Sequence, residues 1–282
     1  MATSDETDMA SLVARSRDGD RAALDALVQA IQPTIYKLAQ RFLMIPADAE
    51  DATQEILLKI ITRLGQFDGR SQFKTWVYAV ASHHLLDLKK RPSEQAITFD
   101  EFAEDLAEGL SDEPFEGPDA ALMLEEVRIG CTLAMLQCLE REARLAYILG
   151  EVLELDHREA AAVLGITTSA YRKRLSRARA TITTFMLGTC GLVDSNNRCR
   201  CSKRVKRAKE LGRVDPERRL FSSSARHAEQ FPTVLAEIRR LEDTQRAAAL
   251  FRAQRQPEVS QDFTRWLKTT LDRQEQTRSA SN

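Results

Sequence analysis

Apolar residues recur along most of this chain at three- and four-residue spacing, with no convincing alternation. That pattern predicts helices and no sheet. Residues 9–91 read as helices with short breaks. One covers residues 50–64, capped by Asp48, with Ala52, Ile56, Ile60 and Leu64 as its buried stripe. Another starts after Ser71 and turns Phe73, Val77, Val80, His84 and Leu88 toward the core. The pattern lapses between Pro92 and Pro118, where three prolines, two glycines and one weak amphipathic piece (residues 99–110) predict a flexible linker. Periodicity resumes at Ala120 and runs to Leu187. A break rich in Gly, Cys and Asn spans residues 188–201. Two amphipathic stretches follow. Residues 233–254 carry Val234, Leu235, Ile238, Leu241, Ala248 and Phe251. Residues 259–274 carry Phe263, Trp266, Leu267 and Leu271. The predicted fold class is all-α: helical domains at 9–92 and 120–187, an acidic flexible linker at 93–119 between them, and a helical C-terminal extension at 188–282.

Within the second domain, residues 156–175 form a helix-turn-helix pattern. Ala160 and Ala161 are small enough for close helix approach, Gly165 suits a left-handed turn residue, and Thr167 can cap the following helix. On that helix Tyr171, Leu175, Ala178, Ile182 and Phe185 share one face. Ser169, Arg172, Lys173 and Ser176 share the other. An apolar back and a front of donors is what a helix reading base edges and phosphates requires. A basic amphipathic surface helix is the plainer alternative.

Charge sharpens this reading. The net charge of −1 looks unsuited to DNA, but it is polarised. Residues 93–127 hold twelve Asp or Glu and no Lys or Arg, whereas residues 171–215 hold thirteen Lys or Arg against three acids. No run of eighteen apolar residues predicts a membrane span, and the acidic N-terminus does not resemble a secretory signal, so the expected location is the cytoplasm.

Two N-terminal surfaces carry further signals. Asp51, Gln54, Glu55, Leu58 and Lys59 fall opposite the buried stripe of their helix. Leu58 there is apolar among polar neighbours, as partner-facing surfaces often are. On the next helix Trp76, His83 and Lys90 recur every seven residues, with Lys74, Tyr78 and Lys89 nearby. Rings that stack on bases, interleaved with cations for the backbone, suit single-stranded DNA. A core Trp with surface lysines is the alternative.

These segments closely resemble region 2 of the extracytoplasmic-function (ECF) sigma factors of the sigma-70 family: DAEDATQEILLK at 48–59, FDGRSQFKTWVYAVA at 67–81 and LDLKKR at 86–91. The segment 156–179 resembles their region 4. The resemblance covers roughly residues 9–187. It implies a non-enzymatic factor that brings core RNA polymerase to promoter DNA and melts it, with an anti-sigma protein as a further partner. It implies that Asp51, Gln54, Glu55, Leu58 and Lys59 dock on core polymerase. Gly69, Arg70, Ser71, Lys74, Trp76, Tyr78, His83 and Lys90 would meet the −10 element, and Ser169, Arg172, Lys173, Ser176 and Arg177 the −35 element. His83 stands where the family usually has Asn, and Tyr171 where it has a smaller aliphatic residue.

A stand-alone helix-turn-helix regulator is the rival reading; it leaves Trp76 and the docking-like face unexplained. An enzyme built on His83, His84 and Asp87 is disfavoured because adjacent helical histidines point about 100° apart. No cofactor is required. Cys190, Cys199 and Cys201 could hold zinc or copper(I), with His227 the nearest fourth donor, or sense redox state through thiols acidified by basic neighbours. Three reduced structural cysteines are the alternative. The extension itself could pack over the two domains and regulate them.

Overall fold

The computed structural model describes residues 4–89, 97–117, 119–221 and 225–254. These form twelve α-helices and no strand; the one β-bridge joins Cys190 and Cys199. The predicted helix at 259–274, with Phe263, Trp266, Leu267 and Leu271, lies outside the described residues, as does Lys90.

The N-terminal unit consists of α1 (Ser4–Arg17), α2 (Arg21–Leu43), α3 (Pro46–Arg63) and α4 (Phe73–Asp87). Asp20 caps α2 by accepting from the Ala23 N–H at 3.1 Å. α3 begins four residues before the predicted start, because Pro46 is preorganised for the first helical position. Asp48 therefore lies in the first turn rather than at the cap, where its charge still suits the positive end of the helix. Ala52, Ile56 and Ile60 are buried as their periodicity predicts.

α4 departs from a single buried stripe. Phe73, Val77 and His84 are buried, but Val80 and Leu88 only partly so. A second face, including Thr75, Tyr78, Ser82 and Leu85, is buried as well. α4 packs on α2 and α3 with one side and on α7 and α8 with the other, so it is sandwiched between the two units.

The acidic stretch is not linker throughout. It contains α5 (Phe99–Ala107), opened by a capping box. Thr98 Oγ1 accepts from the Glu101 N–H at 3.2 Å, and the Glu101 carboxylate accepts from the Thr98 N–H at 2.8 Å. Phe102 and Leu106 are buried, and Phe102 stacks on Phe185 at 5.7 Å between centroids. Nine residues of helix are marginal alone; the apolar face holds this one in place.

The C-terminal unit comprises α6 (Ala120–Gln137), α7 (Arg141–Tyr147) continuing into a π-helical turn (Ile148–Val152), α8 (His157–Val163) and α9 (Thr168–Thr189). Its seam with the N-terminal unit is polar and buried. The Phe42 carbonyl lies in the last turn of α2, where intrahelical partners run out. It accepts from Arg144 at 2.7 Å and from Gln137 Nε2 at 3.2 Å. Arg144 also donates to Gln137 Oε1 at 2.6 Å and to the carbonyls of Gln137 and Leu139.

Tyr171 is fully buried, and its hydroxyl donates to the Ala146 carbonyl at 3.1 Å. Gly150 in the π-helical turn makes room for it. A Cβ there would sit 2.5 Å from the Tyr171 hydroxyl and 2.9 Å from a Leu175 methyl. Gly150→Ala should therefore destabilise the fold by about 2 kcal/mol through overpacking. A urea titration reads this, and Tyr171→Phe in the same chain should restore part of the loss.

The extension forms α10 (Cys201–Glu210), α11 (Ala225–Arg239) and α12 (Asp243–Arg252). The single amphipathic stretch predicted at 233–254 is thus two helices with a break near residues 240–242. Ile238, Ala248 and Phe251 are buried, whereas Val234 and Leu241 are among the exposed large apolar side chains. The break lets α12 turn Phe251 edge-on to Tyr147 at 5.4 Å, which one continuous stripe could not reach. Arg252 then donates to the Glu151 carbonyl at 2.6 Å and pairs with Glu154 at 2.9 Å.

Candidate nucleic-acid interface

The helix-turn-helix is built as its residues predict. Asp156 caps α8 by accepting from the Arg158 and Glu159 N–H groups at 2.7 and 3.0 Å. Gly165 ends α8 at φ +64°, and Thr167 caps α9 by accepting from the Ala170 N–H at 3.2 Å. Tyr171, Leu175, Ala178 and Ile182 are buried, and Phe185 is partly buried against α5. Ser169, Arg172, Lys173, Ser176 and Arg177 are all exposed on the opposite side. Arg172 lies 3.3 Å from His157 Nδ1, which ties the outer face of α9 to the start of α8.

The surface around α4 is less uniform. Gly69 adopts φ +75° in an exposed loop, where no side chain competes for the turn. Arg70 folds back on Asp68, whose carboxylate also accepts from the Arg70 N–H. Ser71, Lys74 and His83 are exposed. Trp76 is half-buried, its ring 5.6 Å from both Phe67 and Phe73. Tyr78 contradicts the expectation of an open strand-binding ring: it is only 3% exposed, and burial pushes its hydroxyl up to about 12. Both α8 and α2 pack on α4, and Glu159 of α8 and Arg41 of α2 both act on this hydroxyl. There Thr75 Oγ1 donates to Glu159 at 2.8 Å, and His83 reaches the Gly165 turn. No window of α4 alone signals this contact.

On α3, Asp51 and Glu55 are exposed, while Gln54, Leu58 and Lys59 are half-exposed. Lys59 Nζ lies 2.6 Å from His84 Nδ1, and Glu55 lies 3.5 Å from His84 Nε2. Burial and the Lys59 charge lower the pKa of His84, which keeps its buried ring neutral.

The extension binds the acidic segment directly. Arg204 is buried and donates to the carbonyls of Asp105 and Glu108 at 2.8 and 2.7 Å and to the Asp105 carboxylate at 3.3 Å. Arg213 adds a second bond to Asp105 at 2.7 Å. Backbone bonds run from the Ser111 N–H to the Lys203 carbonyl and from the Phe115 N–H to the Ser202 carbonyl, each 3.0 Å. Part of the linker's negative charge is therefore met within the chain.

Cys190, Cys199 and Cys201 are brought to one cavity, and a fourth cysteine that spacing could not nominate, Cys131 of α6, lines it too. All are free thiols. Burial raises each of them, Cys199 to about 11 and Cys201 to about 12, and the basic neighbours offset only part of it. The acidified thiols expected for redox sensing are thus contradicted: desolvation outweighs the arginines. Among the described residues, no group of three or more His, Cys, Asp or Glu side chains is placed to hold a metal ion. The side chain of His227 lies outside the described residues. Nor is any helix among the described residues long and apolar enough to cross a membrane.

Residues 27–94 match the family model for Sigma-70 region 2, and residues 129–182 match that for Sigma-70, region 4. The RNA polymerase sigma-H factor of Pseudomonas aeruginosa is 31% identical over 175 residues, covering 61% of this chain and 90% of that protein. The ECF RNA polymerase sigma-E factor of Escherichia coli strain K12 is 30% identical over 176 residues, again 61% and 90%. A solved structure of CnrH in complex with the cytosolic domain of CnrY aligns at TM-score 0.45 and 24% identity, over 62% of this chain and 94% of that one. A helix-turn-helix with an outward basic face, preceded by a region 2 helical unit and matched across nine-tenths of such relatives, settles the class: the chain belongs to the extracytoplasmic-function sigma factors of the sigma-70 family, which are initiation factors of RNA polymerase.

Proposed function

We propose that this factor directs core polymerase to promoters through three faces and that its C-terminal extension keeps it closed beforehand. Residues 9–92 act as region 2, residues 120–187 as region 4, and residues 188–282 as a regulatory tail. Asp51, Gln54, Glu55, Leu58 and Lys59 dock on core polymerase. Gly69, Arg70, Ser71, Lys74, Trp76, His83 and Lys90 meet the melted −10 strand, and Tyr78 joins them once α8 moves off α4. Ser169, Arg172, Lys173, Ser176 and Arg177 meet the −35 duplex. The observation that carries this reading is α9, whose apolar back is buried while its five polar and cationic front residues stand exposed.

The stand-alone regulator is the weaker account, because it gives region 2 no task. Anti-sigma control enters at the same faces: a partner covering α3 and the front of α9 would block polymerase and DNA together.

Arg172→Ala and Lys173→Ala are the direct test. A specific base contact contributes about 1–3 kcal/mol, so each change should lower transcription by holoenzyme about ten- to hundredfold where it reads a base. A phosphate contact would instead flatten the salt dependence of binding by about one unit of slope. A double variant that folds, binds core polymerase and transcribes like the parent would remove the assignment.

A further inference from the structure

The cavity between α5, α6, α9 and the tail is about 400 Å³ in volume. Its walls are mostly apolar, with Phe102, Leu106, Leu192 and Phe221 among them. Four of the chain's five cysteines line it, from three separate places: Cys131 on α6, Cys190 just after α9, and Cys199 with Cys201 at the start of α10. The fifth, Cys138, faces the Thr98 and Ala134 carbonyls instead.

The backbone between them is shaped like a ligand knuckle. Cys190 and Cys199 are bridge partners, and the Gly191 N–H donates to the Cys199 carbonyl at 3.1 Å. A Cβ at Gly191 would lie 2.3 Å from that carbonyl oxygen, so the two segments approach as closely as only glycine permits. The Val193 and Asp194 N–H groups bond to the Cys190 carbonyl at 3.1 and 3.0 Å, which fixes a tight turn after Cys190.

Electrostatics point the same way. Four thiolates around a divalent ion leave an excess of two negative charges. Arg128 acts on Cys201, Arg200 on Cys190 and Cys199, and Arg204 on Cys131 and Cys199. Arg128 and Arg204 are buried, each also paired with a carboxylate, Glu125 at 3.2 Å and Asp105 at 3.3 Å, so they offset part of that charge. Four sulfurs supplied by the chain suit zinc in a tetrahedral structural site.

We propose that Cys131, Cys190, Cys199 and Cys201 bind one zinc ion through four thiolates and so staple the tail to α6. The thiols surround the cavity without being closed on a centre. Binding would therefore require rotamer changes that bring the sulfurs to about 2.3 Å from the ion. Zinc drives four protons from the thiols as it binds, and its binding free energy adds to that of folding. The site would hold α10, and through Arg204 the acidic segment, on region 4.

Full-length protein purified under reducing conditions tests this by metal analysis, and cobalt(II) substitution reports the ligand set. About one zinc per chain is expected, with a tetrahedral, sulfur-rich cobalt spectrum. Cys138→Ser should keep both. Cys131→Ser should lose the zinc or shift the cobalt spectrum to that of three thiolates, although it lies far from the tail in sequence. If that variant fails to fold, the wild-type chain still decides. No zinc and no tetrahedral cobalt spectrum would overturn the site. So would an unchanged spectrum in folded Cys131→Ser, or a site that takes copper(I) and rejects zinc and cobalt.

Discussion

Arg144→Ala should destabilise the folded chain by about 3 kcal/mol, a large share of a domain's stability. The guanidinium is 4% exposed and donates to Phe42, Gln137 and Leu139, so its removal strands several buried carbonyls at once. The Phe42 carbonyl retains Gln137, but loses the cation that complements the negative end of α2. The loss should also show where two units are joined. Urea unfolding that is a single transition in the parent should separate into two, region 2 and region 4 melting apart. A midpoint within experimental error of the parent would mean that the bonds across this seam contribute little. Arg144→Lys should not rescue, because one ammonium cannot span acceptors arranged for a planar fork.

The second large effect is expected at the tail. Arg204→Met with Arg213→Ala removes the side-chain bonds to Asp105 and to the Glu108 carbonyl, leaving Arg207 on the Glu108 carboxylate at 3.2 Å, and keeps the apolar packing of Val205 and Ala208. On the proposed mechanism the acidic segment must leave the tail before regions 2 and 4 can spread over polymerase. The apparent affinity for core polymerase is then reduced by the fraction of chains that are open. Weakening the closed state by about 2 kcal/mol should tighten core binding about thirtyfold. A titration of labelled factor with core polymerase reads it directly. Deletion of residues 190–282 should move affinity in the same direction, but it also bares the surface under Phe251, so the double substitution is the cleaner measurement. Unchanged affinity in a folded variant would remove the regulatory role of the tail and leave the family assignment untouched.

Much of this molecule is local and was legible as such. The Asp156, Gly165 and Thr167 positions, the small Ala160–Ala161 pair and the two-faced α9 all depend on residues within one or two turns of each other. Burial of Ala52, Ile56 and Ile60 follows from period alone. α5 lay at the limit of this reading. Its capping box was present in the sequence, but its acidic surroundings masked two apolar residues that only Phe185 explains.

The sequence by itself determined the all-α class, the helix-turn-helix, the family and the outer face of α9. The tertiary structure alone decided which surfaces meet. Tyr78, grouped by sequence with the strand-binding residues, is buried; Cys131, about sixty residues before the tail, lines one cavity with three cysteines of it. The Phe42 carbonyl is satisfied by an arginine about a hundred residues away. Helix period and capping are short-range, because a turn is completed within four residues. Contacts between helices depend on how stripes far apart in the chain share one buried space, and no local window carries that information.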